Sequence, residues 1–313
     1  MLSIIVPVYN AETTLPSLLK ELSQVDNTEL IFINDGSTDT SLDILEKFKK
    51  NTCEKQAVKI ISQSNQGPAK ARNEGIGIAE GTHITFIDSD DKIAHEILNK
   101  AYTEIDVSSD IVVYDEINKK NTCTKIDDTL RTNLKKSILT QEKINLLGEK
   151  YTFSPTPWGK IYRTDIIKKN DVRFPLNVYI GEDMIFNLRL ILVADSICFS
   201  RSVFYSYENN PSSLTKSFSI NLADNLYAFI DEVEYLIDDR LFNKLLPEFI
   251  ITDALRGVIS KKDKSELDRI AKLIKIKTPS LDGLDNKRKV LFFLIEKKMW
   301  KIISMLITVR NKF

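Results

Sequence analysis

The segment Ile84-Thr85-Phe86-Ile87-Asp88-Ser89-Asp90-Asp91 changes from apolar to acidic within a few residues. An apolar run typical of a buried strand ends here in three carboxylates within four positions. Carboxylates this close repel one another unless a cation lies among them, and divalent cations with oxygen ligands suit that role. An aspartate that follows a strand is also a common N-cap of the next helix. The segment alone leaves a metal site and a helix cap as equal alternatives.

Three more apolar runs of strand character precede this segment, namely Ser3–Val8, Leu30–Ile33 and Val58–Ile61. After each of the four runs comes a stretch with apolar residues at helical spacing: Glu12–Val25, Thr40–Lys50, Pro68–Glu80 and Ala94–Val107. Strands that alternate with helices form right-handed βαβ units. We therefore predict an α/β fold with a Rossmann-like, mostly parallel sheet flanked by helices, which binds its ligand at the carboxyl ends of the strands.

Later segments predict the rest of this sheet and then a different region. Ile111–Tyr114 predicts another strand, and the polar stretch Asn118–Lys136 predicts a long loop or an insertion. From about Ser217 onward the spacing is helical only. We therefore predict an α/β domain of residues 1–216, with halves 1–110 and 111–216, and a basic, amphipathic helical domain of residues 217–313.

Composition excludes several classes of function. Lysine and arginine number 44, as do aspartate and glutamate, so no global basic excess indicates nucleic acid as a partner. Two histidines cannot form a multi-histidine metal site. The odd number and spacing of Cys53, Cys123 and Cys198 suggest neither a disulfide framework nor a zinc knuckle. The first apolar run lacks a basic n-region and stops at Pro7, so we expect a strand, no signal peptide and a cytoplasmic protein.

Two further polar segments lie at predicted strand ends. In Asn34–Asp39, Gly36 permits a positive φ and Asp35 can accept a hydrogen bond from a base or ribose. In Gln66–Asn73, a glycine turn precedes a helix with two basic residues, a favourable place for phosphate. Taken singly, a turn with an N-cap explains the first segment, and a solvated helix face explains the second.

The order of these elements resembles the family 2 glycosyltransferases of the GT-A fold, which move a sugar from a nucleotide diphosphate donor. The resemblance covers roughly the first 110 residues and resumes later in the chain. It is carried by Ser3–Asn10, Ile33–Asp39, Gln66–Asn73, Asp88–Asp91, Pro157–Arg163, Gly181–Met184 and Phe204–Tyr207. Members with the later pattern are typically bacterial enzymes that build capsule, exopolysaccharide or lipopolysaccharide.

The resemblance implies a role for each matching residue. Residues 1–110 would bind the nucleotide sugar, with Asp88 and Asp90 as the acidic (DXD) motif that contacts the ribose and holds Mn²⁺ or Mg²⁺. The other implied donor-binding residues are Pro7, Tyr9, Asp35, Gly67, Lys70, Arg72 and Ser89. Residues 111–216 would bind the acceptor, with Asp183 as the catalytic base and Glu182 and Trp158 beside the acceptor. Without the resemblance, Glu182 and Asp183 would be acidic residues of a helix N-terminus, and Trp158 would be a core residue.

The sequence departs from the family pattern at two positions, and two other functions remain as alternatives. Asn34 stands where aspartate is common, which removes a charge from the base pocket, and Gly159 replaces a frequent asparagine beside the acceptor site. The resemblance implies an inverting, metal-dependent transferase that uses a nucleotide sugar, UDP by family habit, and a growing, lipid-linked bacterial surface glycan. One alternative is a sugar-nucleotide-binding protein without catalysis. The other is a nucleotidyltransferase, which should carry a glycine-rich basic loop after the first strand.

The C-terminal segment Val290–Val309 is apolar but interrupted by charged residues, so we do not expect it to span a bilayer. Between Ile251 and Phe313 the chain has 16 Lys and Arg and 7 Asp and Glu. The segment suits either packing on another helix or lying on an anionic membrane surface, with Trp300 at the headgroups. The sequence leaves peripheral membrane contact and packing as equal alternatives.

Overall fold

The computed structural model describes residues 1–52, 56–103, 109–114, 121–146, 148–207, 221–277, 279–282 and 284–310. The chain divides into two compact units. The first comprises Met1–Leu176 and Glu182–Pro211, and the second comprises Asn177–Gly181 and Ser212–Phe313. The domain boundary that we predict at residue 216 lies outside the described residues, and the halves 1–110 and 111–216 stay a prediction.

An eight-stranded sheet forms the centre of the first unit, in the order β3-β2-β1-β4-β10-β6-β11-β7. Its strands are β1 (Leu2–Val8), β2 (Thr28–Asp35), β3 (Ala57–Gln63), β4 (His83–Phe86), β6 (Ile111–Tyr114), β7 (Thr122–Lys125), β10 (Lys160–Arg163) and β11 (Ser196–Ser200). Neighbouring strands from β3 to β4 are parallel, whereas β10 is antiparallel to both β4 and β6. Two small ribbons pair β5 (Lys92–Ile93) with β12 (Tyr205–Ser206) and β8 (Ile144–Leu146) with β9 (Glu149–Tyr151).

Seven helices belong to the described part of this unit: α1 (Leu15–Leu22), α2 (Ser41–Asn51), α3 (Pro68–Ile78), α4 (His95–Thr103), α5 (Asp128–Thr140), α6 (Thr164–Lys169) and α7 (Glu182–Val193). Helix α1 lies on one face of the sheet, where its leucines share a core with the even-numbered residues of β1. Helix α3 lies on the other face, so close that a Cβ on Gly75 would fall 2.4 Å from the Ile5 side chain. The predicted mostly parallel sheet flanked by helices is confirmed.

A proline lies within the central strand β1. The carbonyl of Ile5 accepts from the N–H of Ile87, so the backbone polar groups of Ile5 point toward β4. Those of Pro7, two residues further along the strand, point to the same side. Pairing with β4 ends at Phe86, opposite Ile5. Because no partner strand remains beside Pro7, its missing N–H leaves no gap in the ladder. The sheet therefore opens after Pro7, where the polar residues begin.

The expectation of a long loop over Asn118–Lys136 was wrong where the structure describes this stretch. Strand β7 and the first turns of α5 occupy it. Asp127 caps α5 by accepting from the N–H of Leu130 at 2.7 Å, and Leu130, Leu134 and Ile138 are buried at one-turn spacing. Polar residues between these apolar positions masked the amphipathic period.

The cysteine expectation was also wrong. Cys123 in β7 and Cys198 in β11 lie directly opposite each other in an antiparallel pair and form a disulfide, with Sγ–Sγ of 2.02 Å. The two residues are 75 positions apart in the chain, so only the strand pairing reveals them as neighbours. Cys53 lies outside the described residues.

The described part of the second unit is helical, as predicted. Its helices are α8 (Leu222–Leu236), α9 (Asp239–Ile259), α10 (Lys264–Lys277), α11 (Asn286–Glu296) and α12 (Trp300–Arg310). Side-chain oxygens of Asn221, Asp238 and Asp285 cap α8, α9 and α11. Among the described residues, no helix combines the length and the apolar character that a membrane span requires.

Glu29 is a buried carboxylate at the amino end of the sheet, away from the strand ends that carry the polar segments. It is fully buried and accepts hydrogen bonds from the Ser3 hydroxyl and from the N–H groups of Glu80 and Gly81. Its second oxygen lies 2.9 Å from Lys59 Nζ. Burial raises the pKa of Glu29, but these hydrogen bonds outweigh it and lower the pKa below its ordinary value.

Replacing Glu29 with Gln should lower the free energy of unfolding by about 2 kcal/mol at pH 7, because the buried partners lose a charge-assisted acceptor. Since the folded pKa is lowered, the charge stabilises the fold above the unfolded pKa and loses this effect as pH falls through the folded pKa. Urea unfolding at pH 7 and below pH 4 measures both. Glu80→Gln is the control, because Glu80 pairs with the same lysine while its side chain is 72% exposed. Equal losses in the two variants would contradict the assignment.

Candidate active site

The carboxyl ends of β1, β2 and β4 meet at one edge of the sheet because these strands are parallel. Asn10, just beyond β1, accepts from the N–H of Thr38 at 2.8 Å, and its own N–H donates to the Ser37 hydroxyl at 3.1 Å. These bonds join the ends of β1 and β2. Tyr9 is 46% exposed beside them, whereas Pro7 is buried within β1.

Asp35 at the end of β2 organises the turn that leads into α3. Its carboxylate is 3% exposed and accepts from Gln63 Nε2 at 2.7 Å, from the N–H of Gln66 at 2.9 Å and from the N–H of Gly67 at 2.7 Å. Gly67 has a φ of 88°, which glycine adopts at little cost. Asp35 therefore fixes the glycine turn, and contact with a nucleotide base stays a prediction.

Arg72 of α3 is the cation at the centre of the site. Its side chain is 4% exposed, and its guanidinium contacts three carboxylates from two parts of the chain, the residues just after β4 and the start of α7. The partners are Asp88 at 2.9 Å, Asp183 at 3.0 Å and Glu182 at 3.6 Å. The guanidinium also lies 5.3 Å from the centre of the Phe174 ring. We call Arg72 and these three carboxylates the arginine cluster.

The arginine cluster shifts the acid–base behaviour of its members. Burial is the main cause that raises the pKa values of Glu182 and Asp183 above the ordinary carboxyl range. The charge of Arg72 opposes this rise at both groups, and that of Asp88 adds to it. Asp183 therefore has the features of a group that exchanges a proton near neutral pH.

The acidic segment Asp88–Asp91 bends immediately after the sheet. The N–H of Asp91 donates to the carbonyl of Asp88 at 3.2 Å, which closes a tight turn. The Asp91 carboxylate is buried and accepts from the Tyr205 hydroxyl, and that hydroxyl also accepts from the N–H of Asp88 at 3.4 Å. Ser89 and Asp90 are only partly buried. The segment thus has fixed ends and an accessible middle.

A divalent cation fits this segment only with help from a ligand. Within the described residues, no group of three or more His, Cys, Asp or Glu side chains could enclose a metal ion. Asp88 is turned toward Arg72, and Asp91 is bound to Tyr205. Mg²⁺ is nevertheless commonly held by one or two carboxylates together with substrate phosphates. Asp90 and Asp88 meet that lesser requirement.

Aromatic rings adjoin the acidic segment. Trp158 stacks with Tyr205 and Tyr207, each with ring centres 5.8 Å apart. Tyr205 is buried and Tyr207 is 53% exposed. The adjacent Gly159 has a φ of 66°, a conformation that glycine and asparagine adopt most readily, so its place in an asparagine position preserves the backbone. Trp158 therefore joins the aromatic wall of the acidic segment.

Asn187 connects α7 to the loop that precedes Trp158, and the sequence reading did not single it out. It is fully buried and donates to the carbonyls of Pro155 at 2.7 Å and Asp183 at 3.1 Å. It also accepts from the Tyr162 hydroxyl at 3.1 Å. A polar residue on the apolar face of a helix was the available signal, because buried amides require partners. Tyr205 is a second such residue, because its hydroxyl holds the Asp91 carboxylate.

Lys70, a predicted donor-binding residue, pairs with Glu74 one turn later at 2.5 Å and is 31% exposed. It thus lies on the accessible side of α3. A separate surface cavity of about 530 Å³ lies along the edge strand β3. Two of the lysines that line it are paired, since Lys59 binds Glu29 and Lys168 donates to the carbonyls of Gly77 and Ala79. That cavity lacks the acid–base groups of the arginine cluster.

The sequence of this chain is similar to those of known proteins. The model of the family "Glycosyl transferase family 2" matches residues 3–170. EpsH of Bacillus subtilis, named a glycosyltransferase, is 31% identical over 268 residues, which cover 80% of this chain and 74% of EpsH. The poly(ribitol-phosphate) beta-N-acetylglucosaminyltransferase TarS of Staphylococcus aureus is 31% identical over 255 residues, which cover 79% of this chain but 41% of TarS.

A solved structure shows the same fold. The crystal structure of S. aureus TarS 1–349 in complex with UDP-GlcNAc superimposes with a TM-score of 0.67 at 24% identity, over 99% of this chain and 91% of that one. The alternating strands, the acidic turn after β4 and the sequence matches lead to one assignment. The chain belongs to the family 2 glycosyltransferases and has their GT-A fold.

Proposed function

We propose that this protein is an inverting glycosyltransferase that moves a sugar from a UDP-sugar to a hydroxyl of a growing, lipid-linked bacterial surface glycan. The arginine cluster is the observation that carries the proposal, because it brings a proton-exchanging carboxylate to the acidic segment. The names of TarS and of its UDP-GlcNAc complex support a UDP-sugar donor and a surface-polymer acceptor. A cytoplasmic location, where nucleotide sugars serve as donors, forms part of the proposal.

Asp183 is the proposed catalytic base. In an inverting transfer the acceptor hydroxyl attacks the anomeric carbon from the face opposite the leaving diphosphate, and its proton must pass to a base. A carboxyl whose pKa is raised by burial is better matched to that proton than an exposed one. Arg72 holds one oxygen of Asp183 at 3.0 Å and thereby orients the carboxylate.

Asp90 and Asp88 are the residues that would hold Mn²⁺ or Mg²⁺ together with the donor diphosphate. A bound cation would neutralise the negative charge that grows on the departing diphosphate. The partly buried position of Asp90 supports direct contact with the ion. Asp88 is the weaker ligand, because Arg72 already binds one of its oxygens.

The remaining site residues divide between donor and acceptor. Pro7, Tyr9 and Asp35 lie at the ends of β1 and β2 and would receive the base and ribose. Gly67, Lys70, Arg72 and Ser89 complete the proposed donor site, Arg72 acting through the carboxylates that it holds. Trp158 and Glu182 would face the acceptor, where pyranose C–H groups pack on aromatic rings.

Two other functions make different predictions. A binding protein without catalysis would bind the donor and release no product, and the intact arginine cluster speaks against it. A nucleotidyltransferase would need a glycine-rich basic loop after β1, but the residues there are Tyr9-Asn10-Ala11-Glu12. Donor binding and sugar release, measured together, separate these functions.

Asp183→Asn should retain donor affinity while transfer or slow donor hydrolysis falls at least about a hundredfold, because only the proton acceptor is lost. Calorimetry with UDP-sugars and detection of released UDP measure the two quantities. Asp171→Asn is the matched control, since this carboxylate is 83% exposed in the same unit. Turnover close to the wild-type rate in Asp183→Asn would assign the base to another residue.

Arg72→Met should move the acid limb of the pH–rate profile to higher pH. The charge of Arg72 lowers the pKa of Asp183, so its removal leaves the base protonated over a wider range. Arg72→Lys keeps the charge and should move the limb less. A uniform loss of kcat in both variants, with the limb unmoved, would show that Arg72 does not tune the base.

Asp90→Ala should weaken Mn²⁺-dependent binding of UDP by about tenfold or more, because the ion loses its accessible carboxylate. Titration of UDP with and without Mn²⁺ measures this change. Asp43→Ala removes an exposed carboxylate from α2 and should bind as the wild type does. The same Mn²⁺ dependence in Asp90→Ala and wild type would remove Asp90 from the metal site.

A further inference from the structure

Helices α11 and α12 form a tight hairpin in the second unit. Lys298 in the turn has a φ of 56°, and its N–H donates to the carbonyl of Ile295 at 2.9 Å. The N–H of Met299 donates to the carbonyl of Leu294 at 2.8 Å. These two bonds form a Schellman motif, which satisfies the last carbonyls of α11 and sets the direction of α12.

One side of the hairpin is fixed to α10. Trp300 is 9% exposed, and its indole N–H donates to Asp268 at 2.8 Å. Lys298 binds the other oxygen of Asp268 at 3.2 Å. Of the two alternatives for Trp300, packing within the unit is the one observed, because both its ring and its indole N–H are used there and it does not reach outward to headgroups. These contacts determine which side of the hairpin faces outward.

The outward side carries large apolar side chains at one-turn spacing. Val290 and Phe293 of α11 are 56% and 52% exposed. Ile302, Met305 and Leu306 of α12 are 41%, 68% and 50% exposed. We call these five side chains the apolar face. Single exposed apolar residues are ordinary on proteins, but a group on two adjoining helices indicates a binding surface.

Exposed basic residues lie on the same two helices as the apolar face. Segment 286–310 contains seven Lys and Arg but one Glu. Lys287, Lys289 and Lys301 form no ion pair with the described residues, and Lys297 lies 5.6 Å from the centre of the Phe293 ring. Two copies that met through this face would bring like charges together. The surface of an anionic bilayer complements both, because its phosphates attract the lysines and its acyl chains accept the apolar side chains.

We propose that the apolar face docks on the surface of a bilayer that contains anionic phospholipid. Each helix has 11 residues and is about 16 Å long, too short for a hydrocarbon core of roughly 30 Å. The hairpin therefore lies in the interface, with its apolar side chains among the acyl chains and its lysines at the phosphates. This inference does not depend on the identity of the sugar or of the catalytic base.

Co-flotation of the full chain with phosphatidylcholine vesicles, with and without about 30% phosphatidylglycerol, tests the proposal. This fraction of phosphatidylglycerol gives the vesicles roughly the charge of an anionic membrane. We expect binding to the anionic vesicles only, weakened by salt. The triple variant I302S/M305S/L306S should bind at least about tenfold more weakly. The variant K287Q/K289Q/K301Q should bind the anionic vesicles roughly a hundredfold more weakly, since each lysine near such a surface contributes about a factor of five to the affinity.

Matched controls separate this face from general hydrophobicity and charge. Ile259→Ser removes an apolar side chain that is 62% exposed elsewhere in the same unit, and K47Q/K49Q/K50Q removes three lysines from α2. Both should bind as the wild type does. Absence of wild-type binding to anionic vesicles, or equal loss in the controls, would overturn the proposal. A dimer in sedimentation that I302S/M305S/L306S abolishes, without vesicle binding, would assign the face to a second copy. UDP-sugar binding is measured in the same variants. If a variant loses vesicle binding but still binds the UDP-sugar, the loss concerns the apolar face and not the proposed function.

Discussion

The arrangement of the site depends on a single buried guanidinium. Arg72 is removed from water, and its contacts with Asp88, Asp183 and Glu182 offset the free-energy cost of desolvating its charge. The dependence is mutual, since three carboxylates so close would repel one another without a cation. One ion cluster therefore joins α3 and the residues just after β4 to the start of α7, which is far from both in the chain. The geometry of the proposed catalytic site and its local stability share the same contacts.

The parallel sheet explains why these elements meet. Successive parallel strands bring their carboxyl ends to one edge, so each strand–helix connection adds a polar segment to the same place. The β1–β4 ladder ends at Ile5, two residues before Pro7, and the two strands separate beyond that point. Asp35 then holds the turn before α3 through two backbone N–H groups, which sets the position from which Arg72 enters. The fold thus positions the guanidinium through backbone contacts.

Local patterns predicted the first hundred residues well, because buried strands and amphipathic helices alternate there without interruption. The acidic segment and the pair Glu182–Asp183 were also found from residue type and resemblance, although their roles stay predictions. The partners of Arg72 could not be predicted, because they lie 16 to 111 positions away and only packing brings them together. The same reason hid the Cys123–Cys198 disulfide. Helix α5 was missed because polar residues separate its buried apolar positions Leu130, Leu134 and Ile138.

Asn187 gives the loop before Trp158 freedom to vary in sequence. Its side-chain amide holds the loop before Trp158 through the carbonyl oxygens of Pro155 and Thr156, not through their side chains. Any residue supplies a carbonyl, so substitutions in this loop can alter its outward chemistry while its attachment to α7 persists. Single substitutions that change the outward chemistry of this loop can therefore accumulate while its attachment to the helix that carries Asp183 persists.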